Sequence, residues 1–318
     1  MVFGFFEKHF EATDIPDQTG KVVIVTGGNT GIGYETCLHL AEHNATIYMA
    51  ARTESRAMAA MQKIKEKNPN AKVHWLKMDL MDLSSVKDAA EEFVKRETRL
   101  DVLVNNAGIM GCPYELSKDG IDVQFQTNHL GHYLFTRLLQ PVLTSTSRLP
   151  DTSVRVVNVS SMAHKMANSS MKFDTFENVN QQYASTWLRY GQSKLSNILF
   201  TKALTKRWGN EKIFVNTLHP GVINSELGRG PAASYGRVVS WFYDVLGSIT
   251  LINTYQGSLT QLYCAASKEI EEKNYRGQYF IPYAKHSQPT ALAQDEKLAD
   301  NLWELSEKIL VEKGFLKA

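Results

Sequence analysis

Cysteine is scarce in this sequence, and its spacing excludes two kinds of framework. The chain has three cysteines in 318 residues. They are Cys37, Cys112 and Cys264, and no pair has the Cys-x-x-Cys spacing of a zinc or redox site. We therefore expect reduced thiols, with neither a disulfide framework nor a metal site.

Charge of one sign and long apolar runs are also lacking. The 35 basic and 33 acidic residues leave a net charge of +2, which gives no reason to expect a nucleic-acid partner. The apolar run 238–251 is too short to span a bilayer and contains Asp244. Because the start of the sequence shows no basic leader before a long apolar run, we expect no signal peptide and a cytoplasmic location.

Short β-branched runs alternate with helical patterns along most of the chain. The runs cover 21–25, 45–49, 73–78, 100–104, 154–159, 214–218 and 278–281, and the helical patterns cover 31–42, 54–67, 84–96, 121–143, 183–207 and 256–266. Regular strand–helix alternation predicts a single doubly wound α/β domain, with a mostly parallel seven-stranded sheet and helices on both faces.

Two segments depart from this alternation. Residues 220–254 follow a strand end, where open α/β sheets bind ligands, so they form either a substrate lid or a packed helical excursion within the domain 20–318. Residues 1–19 form an N-terminal amphipathic extension. In it Val2, Phe3, Phe6 and Phe10 share one helical face, which either docks on the protein or contacts a membrane surface as a peripheral anchor.

A glycine-rich loop connects the first strand to the first helix. Gly27 allows a tight turn, while Gly31 and Gly33 let the backbone approach a pyrophosphate and let helix pack on strand. The amides at a helix N-terminus attract phosphate. We therefore predict a dinucleotide site of the Rossmann type, formed by Gly27, Asn29, Thr30, Gly31, Ile32 and Gly33.

The sequence resembles the short-chain dehydrogenase/reductase family from about Gly20 to its end. Its TGxxxGxG pattern is met by Thr26, Gly27, Gly31 and Gly33, its NNAG motif by residues 105–108, and its Pro-Gly by 220–221. Residues 158–164 and 219–222 look most like the retinol dehydrogenase-like branch. The resemblance implies that Asn106, Ala107, Gly108, Val222 and Ser225 also contact the cofactor, and that Asp79 contacts its adenine.

The end of the second strand indicates which nicotinamide cofactor is used. NAD-preferring folds place a carboxylate there to bind the ribose 2′-hydroxyl, and this chain has none. It has Arg52, whose guanidinium suits a 2′-phosphate. We predict NADP(H), although Thr30 stands where some NADP(H)-dependent members of the family carry a basic residue.

The Tyr-x-x-x-Lys pair of the family occurs twice. Tyr114 and Lys118 lie in a stretch rich in turn residues, whereas Tyr190 and Lys194 lie in a helical pattern that places both side chains on one face. We therefore take Tyr190 and Lys194 as the catalytic pair. An ammonium about 4 Å from the phenol would lower its pKa from about 10 by roughly three units.

The resemblance completes the catalytic set. It selects Ser161 for the substrate oxygen, with Ser160 as the alternative, and it selects Asn128 on the fourth helix. The residues between Ser161 and Tyr190, about 167–187, would form an excursion beside the site.

We accordingly expect an oxidoreductase that transfers hydride between NADP(H) and a carbonyl or alcohol of a small, apolar molecule. A tailoring ketoreductase of a specialised metabolite pathway and a non-catalytic dinucleotide sensor are the alternatives. The resemblance also admits a homodimer formed through the helices of Asn128 and Tyr190.

Overall fold

A single sheet runs through the part of the chain that the computed structural model describes, residues 9–223 and 252–317. Its eight strands follow the order β3-β2-β1-β4-β5-β6-β7-β8. They are β1 (Val22–Thr26), β2 (Thr46–Ala51), β3 (Lys72–Lys77), β4 (Val102–Asn105), β5 (Val154–Val159), β6 (Ile213–Leu218), β7 (Tyr279–Ile281) and β8 (Lys285–Ser287). Only the β7–β8 pair is antiparallel, which confirms the predicted doubly wound fold.

The eighth strand is the difference from the seven that we predicted. β8 has no apolar alternation, and two of its three residues are exposed, as an edge strand allows. The turn before it places Tyr283 and Ala284 at φ values of 64° and 60°. Neither residue is Gly or Asn, the usual residues at such positions, so the hairpin leaves no signal in the sequence.

Helices cover both faces of the sheet. They are α1 (Gly31–Glu42), α2 (Glu54–Lys67), α3 (Leu83–Arg96), α4 (Val123–Phe125), α5 (Gly131–Ser147), α6 (Phe176–Asn180), α7 (Thr186–Arg207), α8 (Thr254–Ala266), α9 (Glu269–Glu272) and α10 (Glu296–Glu312). Along β1, Val22 and Ile24 enter one apolar cluster, and Val23 and Val25 enter the other. Strands buried on both faces explain their unbroken apolar runs.

The C-terminal helix α10 was missed from the sequence. Asp295 caps its start by accepting from the Leu298 N–H at 3.0 Å. Trp303 then packs against Tyr133 and Phe200, with ring centroids 5.0 and 6.2 Å away. The helix therefore packs over α7, which carries Tyr190 and Lys194, and over α5, which follows Asn128.

The described part of the N-terminal extension packs on the domain. Phe10 meets Tyr263 edge to face with centroids 5.4 Å apart, and Ala12 and Ile15 are buried in the core. Val2, Phe3 and Phe6 lie outside the described residues, as does most of 220–254. Among the helices in the described ranges, none is both long and apolar enough to cross a membrane.

Truncating Leu302 tests whether α10 is part of the core. Its side chain is 1% exposed, so Leu302→Ala should lower the free energy of unfolding by about 2–5 kcal/mol in urea denaturation. The control Leu149→Ala, at a side chain 41% exposed, should change it by less than about 0.5 kcal/mol. Equal effects of the two truncations would contradict this packing.

Candidate active site

The glycine loop between β1 and α1 has the shape that its sequence predicts. Gly27 and Gly31 have φ values of 63° and 57°, in the left-handed region that favours glycine. A Cβ added to Gly33 would lie 2.4 Å from the Gly27 carbonyl oxygen and 2.6 Å from Nδ2 of Asn106. The loop is thus closely packed and leaves the amides at the start of α1 for a pyrophosphate, which fits a dinucleotide.

Thr26 joins this loop to the NNAG loop after β4. Its Oγ1 accepts from the N–H groups of Asn106 and Ala107, both at 2.9 Å, and its carbonyl oxygen accepts from Asn106 Nδ2 at 2.8 Å. β1 and β4 are neighbours at the point where the strand order reverses. Ligands of open α/β sheets bind at this reversal.

Three other predicted cofactor residues, Asn29, Thr30 and Ile32, are partly buried at the same helix start. Thr30 has extended backbone at the N-cap of α1. Of the residues predicted after β6, Val222 is 49% exposed, and Ser225 lies outside the described residues.

Two cations lie together where the adenosine end of a dinucleotide is expected. Ala51 pairs in register with Lys77, so Arg52, the next residue, extends beside the end of β3. Arg52, Lys77 and Asp79 line one cavity of about 360 Å³, together with further carboxylates. Asp79 Oδ1 accepts from the Met81 N–H at 3.0 Å. Lys77 was missed from the sequence, although the strand register shows its place.

Tyr190 and Lys194 lie one turn apart on α7, and both are buried. The Lys194 Nζ is 5.7 Å from the centroid of the Tyr190 ring and donates to the Val159 carbonyl oxygen at 3.0 Å. A Cβ on Gly108 would lie 3.4 Å from this Nζ and 3.1 Å from Asn128 Oδ1. The glycine of the NNAG loop thus lets Lys194 and Asn128 approach the same backbone.

The two serines after β5 have different surroundings. Ser160 is buried and donates to the Lys194 carbonyl oxygen at 2.7 Å, away from the phenol. Ser161 begins a 3₁₀ turn, Met162–Met166, and its hydroxyl lies close enough to the Tyr190 phenol to lower the pKa of that phenol. The geometry therefore brings Ser161, rather than Ser160, together with Tyr190.

Asn128 lies in a π-helical turn, Gln126–Leu130, between α4 and α5. Its Nδ2 donates to the Ile109 carbonyl oxygen and to Ser193 Oγ, both at 2.9 Å, and its Oδ1 accepts from the Ile109 N–H at 2.8 Å. Single π turns inside helices often occur at functional sites. The side chain is thus fixed beside Lys194 and the loop after β4.

Burial dominates the protonation of this pair. It raises the pKa of the Tyr190 phenol to about 12, against a hydrogen bond from Ser161 that lowers it, and it lowers the pKa of Lys194 to about 8. Without its cofactor, the protein therefore holds the phenol pKa above 10, and the lowering that we expected from Lys194, helped by the positive charge of the cofactor, is not present in this state. The desolvation of both groups outweighs their attraction at the observed separation.

His132 is a further residue that the sequence analysis missed. Thr26 Oγ1 already accepts two N–H bonds, so its hydrogen points to His132 Nε2, 2.8 Å away. The other ring nitrogen, Nδ1, then donates to the Asn128 carbonyl oxygen at 3.1 Å. Burial lowers the pKa of His132 to about 4, which keeps this neutral tautomer near pH 7. His132 thus connects the cofactor loops to the Asn128 turn.

The second Tyr-x-x-x-Lys match lies elsewhere. The Tyr114 hydroxyl donates to the Asn180 carbonyl oxygen at 2.9 Å, and Lys118 pairs with Asp82 at 2.5 Å. The two side chains thus have different partners and do not form a pair like that of Tyr190 and Lys194.

Comparison with known proteins identifies the family. An uncharacterized oxidoreductase of Schizosaccharomyces pombe is 40% identical over 305 residues, which cover 95% of this chain and 88% of that protein. A model of the short chain dehydrogenases matches residues 21–173. The chain belongs to the short-chain dehydrogenase/reductase family. Members of this family are oxidoreductases that bind a nicotinamide dinucleotide and act on small molecules.

Other relatives agree with the branch that the sequence predicted. Retinol dehydrogenase 12 of Mus musculus is 38% identical over 291 residues, covering 92% of this chain and 86% of that protein. A crystal structure of an uncharacterized protein from Mycobacterium paratuberculosis has a TM-score of 0.73 at 30% identity, covering 95% of this chain and 97% of that one. This family member is therefore close to the retinol dehydrogenase-like branch.

Filling the glycine loop should impair dinucleotide binding. Gly33→Ala forces a Cβ against the Gly27 carbonyl oxygen and Asn106, so we expect at least about tenfold weaker binding of NADPH by isothermal titration calorimetry. Gly209→Ala is the control, because its Cβ would meet nothing closer than 3.5 Å. Equal affinity of the two variants would exclude this loop as the pyrophosphate site.

Proposed function

We propose that this chain is an NADP(H)-dependent carbonyl reductase or alcohol dehydrogenase that acts on a small, apolar aldehyde, ketone or alcohol. The observation that carries this proposal is the meeting of Ser161, Tyr190, Lys194 and Asn128 beside the glycine loops. The bound cofactor supplies or accepts the hydride. The protein's own task is then to hold the carbonyl and move one proton.

Tyr190 is the proposed proton donor in reduction. Because burial holds its pKa near 12, the phenol is neutral at physiological pH, and that form can donate a proton to the carbonyl oxygen as hydride reaches the carbon. Ser161 would donate a hydrogen bond to the same oxygen while negative charge develops on it. The resting protonation state therefore favours the reductive direction.

Lys194 supports the phenolate that remains after the transfer. With a pKa near 8, roughly nine in ten Lys194 side chains carry a proton at pH 7. Their charge offsets the negative charge on Tyr190. Asn128, fixed beside the Nζ, would connect Lys194 to solvent for reprotonation.

The preference for NADP(H) rests on charge at the end of β2. Arg52 and Lys77 line one cavity that four carboxylates also line, and neither Arg52 nor Thr53, the two residues that follow β2, is acidic. The two cations would attract a 2′-phosphate, and Asp79 would bind near the adenine. Val222, and Ser225 outside the described residues, would lie on the nicotinamide side.

An apolar substrate is supported by exposed side chains near Ser161 and the end of β6. Met162 and Met166, on the turn that begins at Ser161, are 47% and 46% exposed, and Val222 is 49% exposed. Trp187 lies edge to face with Tyr190, with centroids 6.1 Å apart. Such side chains suit a hydrocarbon group more than a charged one.

We propose three further properties that the sequence predicts. They are a cytoplasmic location, peripheral membrane contact through the N-terminal residues, and a homodimer. Phe10 is docked on Tyr263, so membrane contact would need Val2, Phe3 or Phe6.

Removing one hydroxyl tests the proton donor. Tyr190→Phe should lower kcat with an accepted aldehyde or ketone by roughly 10²- to 10⁴-fold, because the carbonyl oxygen loses its proton source. The NADPH dissociation constant should stay within about twofold. Turnover is followed as loss of NADPH absorbance over a panel that includes retinal. The control at full activity is Tyr48→Phe, because the Tyr48 hydroxyl donates to Glu97 and to no residue of the proposed site.

Either alternative gives a different result in this assay. Full activity of the Tyr190→Phe variant would remove Tyr190 from the mechanism. A wild-type protein that binds NADPH tightly and reduces nothing in a broad panel would favour the sensor. Activity confined to one unusual ketone would favour the tailoring ketoreductase.

Removing the positive charge of Arg52 tests cofactor choice. Arg52→Gln should lower kcat/KM for NADPH roughly tenfold or more, since a hydrogen bond to a charged group contributes about 1.5–3 kcal/mol. The value for NADH should change less than about twofold, because NADH lacks the 2′-phosphate. Lys63→Gln, at an exposed position of α2, is the control with both values unchanged. Parallel losses with both cofactors would contradict the role of Arg52.

A further inference from the structure

A buried ion pair lies next to the candidate proton donor. Arg189 directly precedes Tyr190, and its Nη1 is 2.6 Å from Oδ2 of Asp122. The two side chains are 2% and 1% exposed. Burying both charges costs more solvation than an apolar pair would, so such a pair is weak evidence for stability and calls for another role.

The Asp122 end of the pair fixes the start of the segment that carries Asn128. Its Oδ1 accepts from the N–H groups of Gln124 and Phe125, both at 3.0 Å. These N–H groups belong to α4, a single turn that leads directly into the π turn of Asn128. The carboxylate thus caps one helix and pairs with the other.

The Arg189 end reaches the loop that follows the NNAG motif. Its Nη2 donates to the Cys112 carbonyl oxygen at 2.7 Å, and its guanidinium lies 5.3 Å from the centroid of the Tyr114 ring. The planar guanidinium of Arg189 therefore contacts two segments. One is the loop after the NNAG motif, and the other begins at Asp122 and leads through α4 to Asn128. A lysine has a single ammonium in place of two planar amino groups, so it could not donate to both partners with this geometry.

The excursion between Ser161 and Tyr190 joins the same network. Asn180, the last residue of α6, accepts from the Tyr114 hydroxyl with its carbonyl oxygen at 2.9 Å. Its Oδ1 accepts from the Asp122 N–H at 2.8 Å. Tyr114, the tyrosine of the second Tyr-x-x-x-Lys match, is thus a structural member of this network.

We propose that Arg189 is a positioning residue that, paired with Asp122, holds the Tyr190 phenol in register with Asn128 and Ser161. This inference rests on the proposed function. Tyr190 and Asn128 lie on different helical segments, the ion pair joins the starts of these segments, and Arg189 directly precedes Tyr190. Because proton transfer requires donor and acceptor within hydrogen-bond distance, a displacement of about 1 Å lowers the rate by up to about a hundredfold.

The test removes both charges together. In the double variant Asp122→Asn/Arg189→Met no buried charge is left unpaired, and the asparagine still caps α4. We expect kcat for carbonyl reduction to fall ten- to a hundredfold, with the NADPH dissociation constant within about twofold of wild type. Arg189→Lys, which keeps the charge and loses the fork, should give an intermediate kcat. Arg207→Met, at the far end of α7, is the control with unchanged kcat.

A second readout does not depend on turnover. The ionisation of the Tyr190 phenol is followed by ultraviolet difference absorbance between each protein and its Tyr190→Phe counterpart. If the ion pair keeps the phenol buried, its removal should let water reach the phenol. The phenol pKa of the double variant should then fall toward its ordinary value. A merely structural pair would leave this titration unchanged.

The outcomes separate the two proposals. A folded double variant with wild-type kcat and wild-type phenol titration overturns the positioning role. If the double variant does not fold, wild-type kcat and phenol titration in Arg189→Lys overturn it instead. If the wild type reduces no substrate, the proposed function fails, and the phenol titration alone decides the role of Arg189.

Discussion

The hydroxyl of Thr26 is the contact on which the rest of the site depends. It accepts the N–H groups of Asn106 and Ala107 and donates to His132, which in turn donates to the Asn128 carbonyl. One side chain at the end of β1 thus joins the glycine loop, the NNAG loop and the helix of Asn128. Since the hydroxyl has two lone pairs and one hydrogen, these three bonds saturate it and fix the histidine tautomer.

Burial then determines how these groups behave. Tyr190 and Lys194 are both removed from water, so the phenol keeps its proton and the ammonium gives its own up more readily. In the proposed reaction the same low-polarity surroundings strengthen the hydrogen bond of Ser161 to a developing alkoxide. In the proposed reaction, the protein would therefore contribute the position of the phenol rather than a low phenol pKa.

Much of this architecture can be predicted from local patterns. Buried strands such as Val154–Val159 are continuous apolar runs, and the glycines of the first loop are required by backbone conformation and close approach. β8 was not predicted because an exposed edge strand has no apolar pattern. The apolar face of α10 has helical spacing, but this pattern was not included in the prediction. The contacts of Arg189 with Asp122 and of Thr26 with His132 join residues 67 and 106 positions apart. Such contacts depend on how whole helices pack, which local spacing does not encode.

The most direct test of the account follows the hydride itself. The protein is incubated with NADPH carrying deuterium at the transferring carbon, in both stereochemical forms, and with a panel of apolar aldehydes and ketones that includes retinal. The alcohol product is then analysed by mass spectrometry. The account predicts that one form of the cofactor places deuterium on the carbinol carbon and the other does not. Alcohol that carries no deuterium from either form, or no alcohol from any member of the panel, would contradict it.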